Sequence, residues 1–128
     1  MPNISKGAIG EVVAARFLRE KGYTIVSSNY RCRQGEIDII ATTKDYIVFA
    51  EVKTRRHNSM YSPREAVTWQ KQRRLIQTAL IYLSKYTTDL QPRFDVIEVV
   101  TAPDSDYRAM EVNHIIGAYE AGDLSRAF

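Results

Sequence analysis

Two apolar runs, Ile37–Ala41 and Tyr46–Val52, flank a polar break, Thr42-Thr43-Lys44-Asp45, and acids interrupt both. β-Branched and aromatic runs around a short polar break predict a β-hairpin. The acids are Glu36 and Asp38 on the first strand and Glu51 on the second, with Lys53 two residues on. Strand side chains alternate between faces, so Phe49, Glu51 and Lys53 share one face. If the four-residue break sets Ala41 opposite Tyr46, Asp38 faces Phe49 and Glu36 faces Glu51. Asp38 and Glu51 are then diagonal neighbours, their Cβ atoms roughly 7–8 Å apart. A one-residue slip would send Asp38 to the other face, so this convergence depends on register.

Like charges facing each other across a sheet destabilise it unless something neutralises them. A hard divalent cation held by one or two carboxylates and water would do so. Lys53 would add positive charge beside a reacting phosphate. The plainer reading is a polar sheet face carrying a solvated Glu51–Lys53 pair. Acids embedded in continuous apolar runs favour a site.

Asp38 followed by Glu51-Val52-Lys53 on the next strand resembles the D…(D/E)-x-K signature of the restriction-endonuclease-like nuclease superfamily. The wider set of blocks is similar to the YraN-like family of uncharacterised bacterial proteins. It comprises G-x-x-G-E near the start, N-Y-R…G-E-I-D-I-I-A, F-A-E-V-K-x-R and R-F-D-V, and covers about residues 7 to 120. That family in turn resembles archaeal Holliday-junction resolvases. The resemblance implies magnesium or manganese as cofactor and Asp38 and Glu51 as its ligands. An early helical glutamate joins the metal site in the resolvases, and Glu11 is the matching position; a boundary glutamate on an amphipathic helix is the equally weighted alternative.

Composition narrows the alternatives. A chain of 128 residues is read as one domain with a real core. No apolar stretch reaches membrane-spanning length, and a single Cys32 excludes an intrachain disulfide. With only His57 and His114, a zinc site has too few ligands. The expectation is a cytoplasmic protein with no membrane partner, compatible with a homodimer. Net charge is only +3, but Lys53 to Arg74 holds seven basic residues and one acid, Glu65. A basic stretch beside clustered acids suits a polyanion held over a metal, although a solvated helix face has the same composition.

Along the chain, residues 5–21 predict a helix ended by Gly22, with Glu11 on a face of small residues. Tyr23–Tyr30 predicts a strand that Asn29 could end. Arg31 and Arg33 decorate the next turn, as phosphate contacts or as plain loop residues. Ser62-Pro63-Arg64-Glu65 predicts a helix start, with the helix running to about Tyr86. Its buried stripe includes Leu75, Ile76, Ala79, Leu80 and Leu83, and Trp69 is read as core in preference to a flank that stacks on a base. Arg93–Thr101 predicts a strand buried on both faces, running parallel to the Glu51 strand after a helical crossover. Its Asp95 is read as bracing a basic residue. Met110–Tyr119 reads as a short strand passing into irregular chain, and residues 120–128 as a frayed tail.

The order is helix, three strands, long helix, strand: an α/β (α+β) fold of restriction-endonuclease-like type, a mixed sheet flanked by helices. The expected function is a metal-dependent endonuclease acting on DNA, including branched DNA. Asp38, Glu51, Lys53 and Glu11 are the expected catalytic set. Arg55, Arg56, Lys71 and Arg74 would hold flanking phosphates, which positions nucleic acid without reading sequence. The alternative is a non-catalytic nucleic-acid-binding module of the same fold.

Overall fold

A computed structural model describes residues 6–57, 68–105 and 108–120. Its elements are α1 (Lys6–Glu20), β1 (Thr24–Cys32), β2 (Gly35–Thr42), β3 (Tyr46–Arg56), α2 (Trp69–Lys85), β4 (Gln91–Thr101) and β5 (Ala109–Tyr119). They form one mixed sheet in the order β1-β2-β3-β4-β5, parallel only between β3 and β4. A parallel pair needs a crossover, and α2 provides it.

Each helix covers its own sheet face. Ala14, Ala15 and Leu18 of α1 pack on Ile39, Ala41, Val48, Ala50, Ile97 and Val99. Leu75, Ile76, Ala79 and Tyr82 of α2 pack on Ile37, Ile40, Phe49, Phe94 and Val96. The shared strands β3 and β4 therefore bury both faces, which is why they read as near-continuous apolar runs.

α1 ends as its sequence predicts. Gly22 has φ 93°, its N–H donates to Arg19 O, and Tyr23 N–H donates to Leu18 O, both at 3.0 Å. These bonds satisfy carbonyls that the helix end would orphan. At its other end α1 approaches β3 so closely that a Cβ on the buried Gly10 would collide with Thr54 Oγ1. Gly10→Ala should therefore cost about 1–3 kcal/mol by overpacking. Gly10→Ala with Thr54→Ala should recover most of the loss, because the colliding hydroxyl is gone and alanine favours the helix. Denaturant unfolding of the three chains checks this; a harmless Gly10→Ala would contradict it.

Several expectations need correction. The hairpin loop is Thr43–Asp45 and pairs Ala41 with Val48, not Tyr46. Thr43 closes the loop: its N–H donates to Tyr46 O, and its hydroxyl accepts from the N–H groups of Asp45 and Tyr46. The two-residue difference from the expected register leaves Ile39, Ile40 and Ala41 on their expected faces. Asn29 does not end β1. It adopts φ 56° inside the strand, and regular pairing resumes from Ser28↔Ile39 to Tyr30↔Ile37 on either side of it.

The second helix is not continuous from Ser62. Thr68 has extended backbone, its hydroxyl accepts from Lys71 N–H, and α2 begins at Trp69. The Ser62–Glu65 helix start lies outside the described residues. Trp69 and Leu80 are exposed rather than core, and Tyr82 takes the buried place. Trp69 stands in the first turn with the Arg73 guanidinium over its ring. β5 spans Ala109–Tyr119, and the irregularity expected near its end falls inside it: pairing with β4 shifts between Ile115 and Tyr119, where Gly117 has φ 61°. No helix among the described residues is long and apolar enough to cross a membrane.

Candidate metal and phosphate site

β2 changes its facing at Asp38. Ile37 and Ile40 both pack toward α2, whereas Ile39 and Ala41 pack toward α1, so strict alternation fails between residues 37 and 39. Regular pairing with β1 skips Asn29 and Asp38, and pairing with β3 stops at Ile39↔Ala50. Asp38 thus sits where the two central strands begin to part. Its Oδ2 accepts from Val52 N–H at 2.8 Å, putting the carboxylate where a ladder bond would otherwise lie.

Continuing the β2–β3 register by one residue sets Asp38 level with Glu51, closer than the diagonal expected from sequence. The two carboxyl groups act on each other electrostatically. Burial, chiefly, and then the Glu51 charge raise the Asp38 carboxyl to about 7, against the opposing pull of Val52 N–H. Glu11 on α1 adds a weaker push in the same direction. A fold that buries two acids against each other leaves a deficit of positive charge, which two lysines partly fill. Glu51 is buried, and its Oε1 takes Lys71 Nζ at 2.6 Å and Lys53 Nζ at 3.3 Å. Burial and the adjoining Lys71 lower Lys53 from its ordinary value, while Glu51 opposes them. Lys71 goes the other way: burial would lower it, but Glu51, Lys53 and Asp38 together raise it.

Asp38, Glu51, Lys53 and Lys71 are therefore brought together, with Glu11 near enough to act on Asp38 electrostatically. Among the described residues no three or more acids, histidines or cysteines gather closely enough to hold an ion. The pair Asp38 and Glu51 still fits a hard dication, since magnesium takes one or two carboxylates and completes its shell with water. A cation between them would relieve the part of the Asp38 shift that comes from the Glu51 charge.

The predicted phosphate contacts separate into two kinds. Arg74 is exposed on α2 and, with Lys71, Leu75, Gly35 and Glu36, lines a cavity of about 170 Å³ beside the carboxylates. Arg55 is not presented to solvent in this way: its Nε donates to the buried Glu98 at 2.7 Å. Arg56 is exposed beyond it, and Arg31 is turned onto Glu36 at 3.1 Å. Arg33 is exposed at the β1–β2 turn, and His57 at the end of β3.

Sequence reasoning missed Glu98. It lies level with Lys53 in the β3–β4 ladder, and its second oxygen accepts from Asn113 Nδ2 at 2.8 Å. The signal was the one that revealed Asp38, an acid inside an apolar run. Asp95 on the same strand was read as a brace, and it makes that kind of contact. Fully buried on the α1 side, it accepts two bonds from Arg93, one from Gly117 N–H, and lies 2.7 Å from His114 Nε2. Burial alone would raise Asp95; these partners hold it below the usual carboxylate range. Asp38 is thus a half-buried acid facing like charges, and Asp95 a fully buried one that is fully paired.

Comparison with known proteins agrees with this arrangement of blocks. The model of uncharacterised protein family UPF0102 matches residues 10–99, from the glycine that meets Thr54 to near the end of β4. A UPF0102 protein of Caldanaerobacter subterraneus subsp. tengcongensis is 44% identical over 114 residues, covering 88% of this chain and 93% of the relative. One from Symbiobacterium thermophilum is 45% identical over 113 residues, covering 88% and 96%. One from Clostridium botulinum strain Loch Maree is 47% identical over 96 residues, covering 73% and 78%. With matches of this length and identity, the chain belongs to the uncharacterised protein family UPF0102.

Proposed function

We propose that this protein is a magnesium- or manganese-dependent endonuclease hydrolysing phosphodiester bonds in DNA, branched DNA included. The observation that carries the reading is the pair of half-buried Asp38 and buried Glu51, with Lys53 on the Glu51 carboxylate. Asp38 and Glu51 would hold the ion, and Glu11 would add negative charge behind it. When bound, the ion supplies Lewis-acid charge at the phosphoryl oxygens and activates a water. Lys53 is fixed by Glu51 and presents its amine where charge develops on the phosphate. Arg74 and Lys71, along their cavity, would bind a neighbouring phosphate and set the backbone in register with the acids.

The test is cleavage of labelled DNA and RNA, as single strands, duplexes and four-way junctions, with magnesium, manganese or chelator. Cleavage of DNA that needs the ion is the expected result. Binding indifferent to the ion, with no cleavage of any substrate, would leave a nucleic-acid-binding module instead. Arg74→Ala should weaken binding alike for all sequences and flatten the salt dependence by roughly one unit per lost phosphate contact. An unchanged salt slope would move the contact surface to the Arg31 and Arg33 turn.

A further inference from the structure

Lys71 belongs to neither carboxylate strand, yet it makes the shortest ion pair of the site. Its Nζ lies 2.6 Å from Glu51 Oε1, closer than Lys53 on the same oxygen. It reaches that oxygen from the first turn of α2, where its backbone N–H is fixed by the Thr68 hydroxyl. The same residue lines the cavity shared with Gly35, Glu36, Arg74 and Leu75. Its side chain is 41% exposed, so it is free to change partners, whereas the Glu51 side chain is only 7% exposed. Two ammonium groups on one buried carboxylate already offset part of the charge of the acid pair. A dication at the same carboxylate meets an ammonium in contact with its ligand, and the two cations repel across that oxygen.

Building on the proposed metal site, we propose that Lys71 is a two-position residue. It neutralises Glu51 while the metal is absent, and moves to a substrate phosphate in the adjoining cavity when the metal takes Glu51. The distance from Glu51 to the cavity is spanned by one lysine side chain, since Lys71 belongs to both. The consequence is thermodynamic coupling. A phosphate that takes up the Lys71 ammonium makes room for the ion, and the ion releases Lys71 for the phosphate. Each must then strengthen the binding of the other by the same factor. Lys53 does not serve in this way: it does not line that cavity, and its side chain is only 22% exposed.

The test is calorimetric titration of manganese into the parent chain, Lys71→Met and Lys71→Gln, each alone and with a short non-cleavable phosphorothioate DNA duplex. In the parent, DNA should tighten manganese binding by roughly tenfold. In both variants manganese should bind the DNA-free protein several-fold more tightly than it binds the parent, and DNA should add little. Thermal unfolding without metal should show both variants folded, because the helix cap is retained, but less stable than the parent. Parent-like manganese affinity and parent-like coupling in the variants would overturn the role of Lys71 and leave the metal site standing. No manganese binding by the parent, with or without DNA, would overturn both.

Discussion

Asp38→Asn should abolish cleavage, by about 10³-fold or more, while leaving the metal-free protein at least as stable as the parent. The substitution keeps the shape of a group that accepts from Val52 N–H but removes one of two buried negative charges. Its effect on stability depends on pH, and the direction follows from the raised Asp38 carboxyl. The folded chain holds this proton up to about pH 7, whereas the unfolded chain releases it near the ordinary value of 3.8. Stability of the metal-free parent therefore falls as pH rises from about 4 to about 7 and levels off above. Each pKa unit is worth about 1.4 kcal/mol, and screening at this half-buried site leaves about 2 kcal/mol, or roughly 5 °C in Tm. Asp38→Asn should remove that slope, and saturating magnesium should remove it from the parent. Thermal melts from pH 4 to pH 8, with and without magnesium, check both. A variant clearly less stable than the parent at pH 8 would make Asp38 a structural carboxylate.

The opposite result is expected at the other buried aspartate. Asp95→Ala should cost about 3–5 kcal/mol, on the order of 10 °C in Tm, at any magnesium concentration. Asp95 is fully buried, and its removal would strip Arg93 of its carboxylate and leave Gly117 N–H and the His114 ring without theirs. Arg93 also donates to the Tyr23 hydroxyl at 2.7 Å, so the loss would reach from β4 to the turn after α1. Thermal melts again provide the measurement. A loss below about 1 kcal/mol would show that the network adds little beyond surface pairing. Side by side, the two substitutions separate an acid kept for chemistry from one kept for folding.

How much of this was legible in the sequence depended on the kind of signal. Faces were legible, because alternation fixes which residues share a side; Glu51 and Lys53 needed only a strand. The exact pairing was not, because whether Thr42 belongs to the loop or to β2 turns on the Thr43 hydroxyl closing a three-residue turn. The local reversal at Asp38 and the positive φ of Asn29 leave no periodic trace in the sequence. The parallel β3–β4 pair was legible from the helix between two strands and from burial of both faces. The start of α2 was not: Thr68, whose hydroxyl accepts from Lys71 N–H, carries no glutamate three residues on to mark it as a cap, and the Ser62–Glu65 signal lies outside the described residues. Arg55 looked like a phosphate ligand because charge composition carries no information about partners. Glu98, four strand positions from Phe94, absorbs it.

The central claim is that Asp38 and Glu51 together hold a divalent ion, and calorimetric titration of manganese into the parent chain and Asp38→Asn near pH 7.5 tests it most directly. The expected result is saturable binding by the parent, weakened by at least about tenfold in the variant, since ligand charge is lost. Equal binding by the two chains, or none by the parent, would contradict it.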